Sequence, residues 1–186
     1  MTGTTLRHPG DPFPASGVNR PGGRTLHLPD DLAGRFGVVL FSRRARCPYR
    51  NAQLSAFQRV LDGLAEVEAS ILELSVNDEA TTRDLIARHG LRFPVGHSAD
   101  ATAVADATGA FADPDPPFLQ PAGFVLDPGR PALVSVYSSA AVGPLIPQDV
   151  TGLIRYLRGH APASPSDERQ RTQRTCGRSC CLCPSP

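Results

Sequence analysis

Five cysteines and the complete lack of lysine set the nucleophilic chemistry open to this chain of 186 residues. One thiol, Cys47, stands in FSRRARCPYRNAQL, after a short apolar run and directly before a proline; Cys176, Cys180, Cys181 and Cys183 crowd the last eleven residues. A thiol between a buried strand and the first turn of a helix meets unpaired backbone N–H groups and the positive end of the helix dipole, which favour the thiolate. Arg43, Arg44, Arg46 and Arg50 lie within four residues of Cys47, and at least some of these cations are expected to face the sulfur. The sharp reading is a redox or nucleophilic cysteine. The plain reading is a small buried residue beside solvated arginines, the usual case for an isolated cysteine.

Other chemistries find little support. Without lysine there is no Schiff base and no Walker-type phosphate lysine, and no glycine-rich phosphate loop appears. His8, His27, His89, His97 and His160 show neither H-x-x-x-H nor Cys–His spacing, so they read as surface or capping residues and no resident metal or cofactor is expected. His97, in FPVGHSAD beside an expected strand end, has the best case for a site role, with a structural one favoured. The pairs Asp30–Asp31 and Asp113/Asp115 suit solvated turns better than paired acid and base work. Nineteen arginines against eighteen acidic residues leave a net charge of +1, too balanced for affinity built on phosphate neutralisation, so nucleic acid is disfavoured as a partner. No apolar run approaches the ~18 residues of a membrane span and the opening MTGTTLRHPGDPFPASG lacks a signal-peptide stretch. A soluble, cytoplasmic protein is expected.

The elements that must position Cys47 follow from periodicity. Residues 1 to about 23 read as an extended surface arm leading into a first strand near Arg24–Leu28. GVVLFS (37–42) suits a buried central strand, and Ala52, Leu54, Phe57, Val60, Leu61 and Leu64 give one amphipathic helix from Pro48 to about Glu68. Ile71–Val76 reads as a strand, Asp78 caps a helix to about His89, and Phe93–Val95 reads as a brief strand. Ser98 and Asp100 introduce a short helix closed by Gly109, ADPDPPFLQP is a loop, GFVLD and ALVSVYS form a hairpin, and a last helix runs from about Pro147 to Arg158. The order is that of an α/β, thioredoxin-like mixed-sheet sandwich with helices on both faces. The domain is expected to span 1–159, with 160–186 a disordered Cys/Arg/Pro-rich tail.

The chain also resembles a known family. Phe41, Arg43, Cys47, Pro48 and Tyr49 match the pattern F-x-R-x-x-W-C-P-Y-C found in a branch of the alkyl hydroperoxide reductase C/thiol-specific antioxidant (AhpC/TSA) peroxiredoxins. The GDPFP opening, the NAQL helix start, LSVNDEATTRDLIARHGLRFPVGHSAD, GFVLDPGRP and the closing VYSSAAVG extend the resemblance over about Gly10 to Arg158. It implies a thioredoxin-like fold and reduction of hydrogen peroxide or organic hydroperoxides, with Cys47 as the peroxidatic cysteine. It also implies a thiol reductant, either a thioredoxin-like protein or a low-molecular-weight thiol, and is compatible with a homodimer. Departures accompany it: Leu40 and Arg44 stand at the proline and hydroxyl positions of P-x-x-x-T/S-x-x-C, Arg46 at the tryptophan and Arg50 at the second cysteine. Gly123 stands where many members carry an arginine on a later strand.

A peroxidase needs groups that stabilise charge developing on the leaving oxygen, and Arg43, Arg44 or Arg50 could serve. With no thiol at position 50 a one-cysteine cycle is the simplest expectation. The tail cluster C-x-x-x-C-C-x-C leaves three readings open: a resolving thiol, a soft-metal site, or neither. Two rivals to the peroxidase remain at this stage, a monothiol disulfide exchanger and a catalytically degenerate redoxin module that binds or senses.

Overall fold

The computed structural model describes residues 6–42, 47–115, 117–142 and 145–160. Arg43, Arg44, Arg46 and the tail from residue 161, with its four cysteines, lie outside the described residues.

The elements run β1 (Ser16–Arg20), β2 (Arg24–Leu28), β3 (Phe36–Ser42), α1 (Pro48–Arg59), α2 (Leu61–Glu66), β4 (Ala69–Ser75), α3 (Glu79–His89), α4 (Ala101–Thr108), β5 (Ala112–Pro114), β6 (Pro117–Leu119), β7 (Ala122–Leu126), β8 (Ala132–Tyr137) and α5 (Pro147–Gly159). The central sheet has the order β4-β3-β7-β8. β4 is parallel to β3 through the α1–α2 crossover, while β7 and β8 are antiparallel additions. All seven residues of β3 are buried, as a strand covered on both faces requires. Two compact units divide the chain, Met1–Ile154 and Arg155–Pro186. Of the second, residues 155–160 are described: they finish α5, and Tyr156 stacks on His160 with ring centroids 4.2 Å apart.

The period-two alternation of the strands sorts the core. Val39, Phe41, Leu72, Leu74, Ala122, Phe124 and Leu126 join Phe13, Val18, Ala101 and Ala105 on one face of the sheet. The opposite parity holds Val38, Leu40, Ile71 and Val125, with Leu54, Phe57, Leu64, Leu85, Val150 and Ile154 buried in the helices. Glu73, fully buried, belongs to this second set. It pairs across the sheet with Leu40, which pairs in turn with Gly123. One row therefore runs Glu73, Leu40, Gly123.

Four expectations are corrected. The arm is not all surface: Pro21-Gly22-Gly23 turns β1 back onto β2, both glycines at positive φ, and Phe13 packs edge-on to Phe124 at 5.2 Å. The apolar Phe13 and Val18 draw that segment into the core. The single helix expected over 48–68 breaks at Val60, where the amide turns to Phe57 O at 3.2 Å, an i−3 bond that tightens and ends the turn. Phe93–Val95 forms no strand but one parallel bridge, Glu73 to Val95, because Pro94 has no N–H to extend a ladder. The proline-rich loop holds the short pair β5–β6, whose prolines fall at the ladder's turn end.

The caps Asp78 and Asp100 and the closing Gly109 match expectation. Asp78 accepts Thr81 N–H at 2.7 Å, a hydrogen bond that holds its carboxyl below the usual aspartate range, and Gly90 closes α3 in the left-handed region. Asp100 accepts from Thr102 N and Ala103 N at 2.9 and 3.0 Å, and Gly109 closes α4 at φ 84°. With both donors freed, Asp100→Ala should cost about 1 kcal/mol, read as a lower urea midpoint at unchanged m-value. An unchanged midpoint would mean that packing of Ala101 and Ala105 alone holds α4.

Candidate functional site

Cys47 is the N-cap residue of α1, in extended backbone geometry (φ −74°, ψ 117°), with Pro48 as the first helical residue. Proline at that position has its φ preset for the helix and removes a donor that would be unpaired. The sulfur is thus at the helix start, five residues beyond the end of β3, as the sequence pattern required. Cys47 is half-buried and is a free thiol; it is the only cysteine among the described residues.

A small cleft joins Cys47 to Phe41, Ser42, Arg50, Gln53 and Pro121, with Tyr49 and Ala141 completing its wall. Its volume is about 10 Å³, close to the least that admits one water-sized group. Tyr49 is 56% exposed, so its ring flanks an opening rather than filling the core.

Arg50 does not stand as a free cation beside the sulfur. It is 3% exposed and forms a buried ion pair with Glu73 of β4. Glu73 Oε1 accepts Nε at 3.0 Å, accepts Nη2, and also accepts the hydroxyl proton of Ser42. Three donors converge on one carboxylate oxygen. Arg50 Nη1 and Glu73 Oε2 are buried without a hydrogen-bond partner among the described residues. Of the four arginines expected near the thiol, Arg50 is described: it lines the cleft but gives one edge of its guanidinium to a buried carboxylate. Arg43 and Arg44 fall outside the described residues.

The strand position that carries an arginine in many AhpC/TSA proteins is closed. A Cβ built on Gly123 would lie 2.6 Å from Leu145 Cδ1 and 2.7 Å from its Cγ. Leu145, 9% exposed, is tied there by its carbonyl, which accepts Gln53 Nε2 at 3.1 Å. Apolar packing occupies this end of the row that Glu73 begins.

The remaining candidates lie elsewhere. His97 bonds Asn19 O through its amide at 2.9 Å and Ser98 Oγ through Nδ1 at 3.0 Å, and His89 Nδ1 meets Ser55 Oγ at 3.2 Å. Asp30 pairs with Arg130 at 2.8 Å, and Asp31 accepts the His27 amide at 2.7 Å. Glu73 and Ser42 are the site residues that sequence reasoning missed. The sign of Glu73 was present in ILELSV: a lone carboxylate inside an apolar strand needs a buried partner.

Comparison with known proteins follows the same lines. The AhpC/TSA family profile matches residues 9–130. Among solved structures, Mycobacterium tuberculosis AhpC superposes with a TM-score of 0.69 at 20% identity, covering 86% of this chain and 98% of that one. Peroxidoxin BcpB from Mycobacterium tuberculosis gives 0.70 at 18% identity over 82% and 99%. A mutant of Xylella fastidiosa PrxQ gives 0.67 at 16% over 85% and 99%. At these identities the likeness is one of fold. No curated protein sequence matches the chain. Among the described residues no helix is long and apolar enough to cross a membrane, and no cluster of three metal-ligating side chains occurs.

Proposed function

Because this chain belongs to the AhpC/TSA family of thiol peroxidases, we propose that Cys47 is its peroxidatic thiol, with Arg50 and Arg43 as the cations that serve it. The observation that carries the reading is the half-buried free thiol at the start of α1, in a cleft shared with a buried arginine. Peroxiredoxins use a peroxide substrate and a thiol reductant, and the chemistry maps onto this cleft. The Cys47 thiolate attacks one peroxide oxygen, forming S–O as O–O breaks. Sulfur is oxidised to sulfenic acid, and the leaving oxygen takes a proton to become water or an alcohol. One external thiol then displaces water from the sulfenic acid to give a mixed disulfide. A second thiol releases Cys47 and leaves as the oxidised disulfide. Arg50 stands where a C-x-x-C partner would, so the first resolving thiol comes from outside this motif.

The cleft's size supports a site for one small terminal oxygen, with any alkyl group outside beside Tyr49. Hydrogen peroxide and unhindered organic hydroperoxides fit that description. A cycle that runs on external thiols fits a reducing compartment, and we place the protein in the cytoplasm.

The test is the second-order rate of Cys47 sulfenylation by hydrogen peroxide in the full-length protein, trapped with dimedone and read at Cys47 by mass spectrometry. A rate several orders of magnitude above that of free cysteine, on the order of 10³-fold or more, is expected for an electrostatically assisted thiolate. A rate like that of free cysteine would overturn the peroxidase reading. It would favour disulfide exchange or a noncatalytic redoxin module.

A further inference from the structure

We propose that Glu73, assisted by Ser42, is a positioning residue that fixes Arg50 as the hydrogen-bond donor of the Cys47 cleft; the proposal rests on the peroxidase reading above. Arg50 is the one buried cation among the described residues. A guanidinium carries five N–H donors in a rigid plane. Glu73 Oε1 takes the edge formed by Nε and Nη2. Since the group is planar, this contact also fixes the direction of the remaining nitrogen, Nη1. That nitrogen is buried and without a partner among the described residues, in a side chain that lines the same cleft as Cys47. A buried donor left unmade is costly, so the arrangement is suited to an acceptor that arrives with substrate. The leaving oxygen of a peroxide, gaining negative charge as O–O breaks, is such an acceptor.

A cation carried on β7 is closed to this role. Gly123, at the far end of the row from Glu73, is covered by Leu145 and has no room for a strand-borne cation. No acidic residue occurs between Asp31 and Asp62, so the segment around Cys47 supplies Arg50 with no local counter-charge. β4 supplies it instead. Ser42 adds a third donor to the same carboxylate oxygen, which restrains Glu73 from the neighbouring strand. The hydroxyl at the end of β3 therefore serves the carboxylate, and the fixed cation comes from the helix.

Two rates separate positioning from scaffolding. Oxidation of Cys47 by hydrogen peroxide needs the Arg50 donor, whereas alkylation by iodoacetamide reports only the thiolate and its access. Glu73→Gln preserves shape and a carbonyl acceptor but removes the charge that holds the guanidinium. Its peroxide rate should fall roughly tenfold or more, with the alkylation rate within about twofold of the parent protein. Both rates unchanged, or both falling together, would overturn the proposal. If the parent protein reacts with peroxide no faster than free cysteine, the peroxidase reading fails with it. Should Glu73→Gln not fold, Glu73→Asp, which keeps the charge but shortens its reach to Arg50, is measured instead. The same split between the two rates supports the proposal, and a peroxide rate equal to the parent's overturns it.

Discussion

Cys47→Ser should abolish peroxide turnover supported by dithiothreitol, a loss of at least about 10³-fold, while leaving the far-UV spectrum and urea midpoint near those of the parent. The substitution exchanges sulfur for oxygen at an N-cap, where serine is itself a favoured residue. Helix α1 therefore keeps its start, and the missing activity reports chemistry rather than folding. Serine is not a thiolate at neutral pH and cannot form a sulfenic acid, so the S–O bond-forming step has no substitute at this position. The variant retains Cys176, Cys180, Cys181 and Cys183. Turnover above the free-thiol background in Cys47→Ser would assign the reaction with peroxide to those thiols and remove Cys47 from the mechanism.

The parts of this site differ in how readily the sequence discloses them. Cys47 at the head of a helix was legible because its two neighbours obey local rules: an apolar run that must be a buried strand, then proline at the first helical position. The caps Asp78 and Asp100 and the terminal Gly109 were legible for the same reason, since capping is decided within four residues. What stayed hidden depends on tertiary register. Arg50 and Glu73 are separated by most of α1, the break at Val60, all of α2 and most of β4. Their meeting requires β4 to lie parallel to β3 with Leu40 opposite Glu73. No spacing rule links positions 50 and 73. The β1–β2 hairpin was missed on different grounds: its turn residues were plain, but Gly- and Pro-rich composition outweighed the two apolar side chains, Phe13 and Val18, that draw it into the core. The closing of Gly123 by Leu145 likewise needs the chain between β8 and α5 to return over the sheet, which no local pattern encodes.

The buried pair under the cleft should also dominate the stability of this domain. Arg50→Ala leaves Glu73, fully buried, with only the Ser42 hydroxyl of its three donors. Removing one partner of a buried ion pair typically costs 3–5 kcal/mol, because the other charge stays desolvated and uncompensated. Against a total of about 5–15 kcal/mol for a domain of this kind, that is a large fraction. At roughly 2–4 °C per kcal/mol, the melting temperature should fall by about 6–20 °C. The double replacement Arg50→Met with Glu73→Met should behave differently. Both charges leave together, and two unbranched apolar side chains fill the space, so stability should lie within about 1–2 kcal/mol of the parent, in either direction. Urea unfolding at constant m-value distinguishes these outcomes. If Arg50→Ala costs under about 1 kcal/mol, the guanidinium and carboxylate are solvated in solution and the pair does not form as described. If the double replacement is as unstable as Arg50→Ala, hydrogen bonding to this carboxylate, rather than relief of an unpaired charge, holds β3, β4 and α1 together. The contrast matters for function because a pair that stability alone does not require is kept for what its remaining donor does in the cleft.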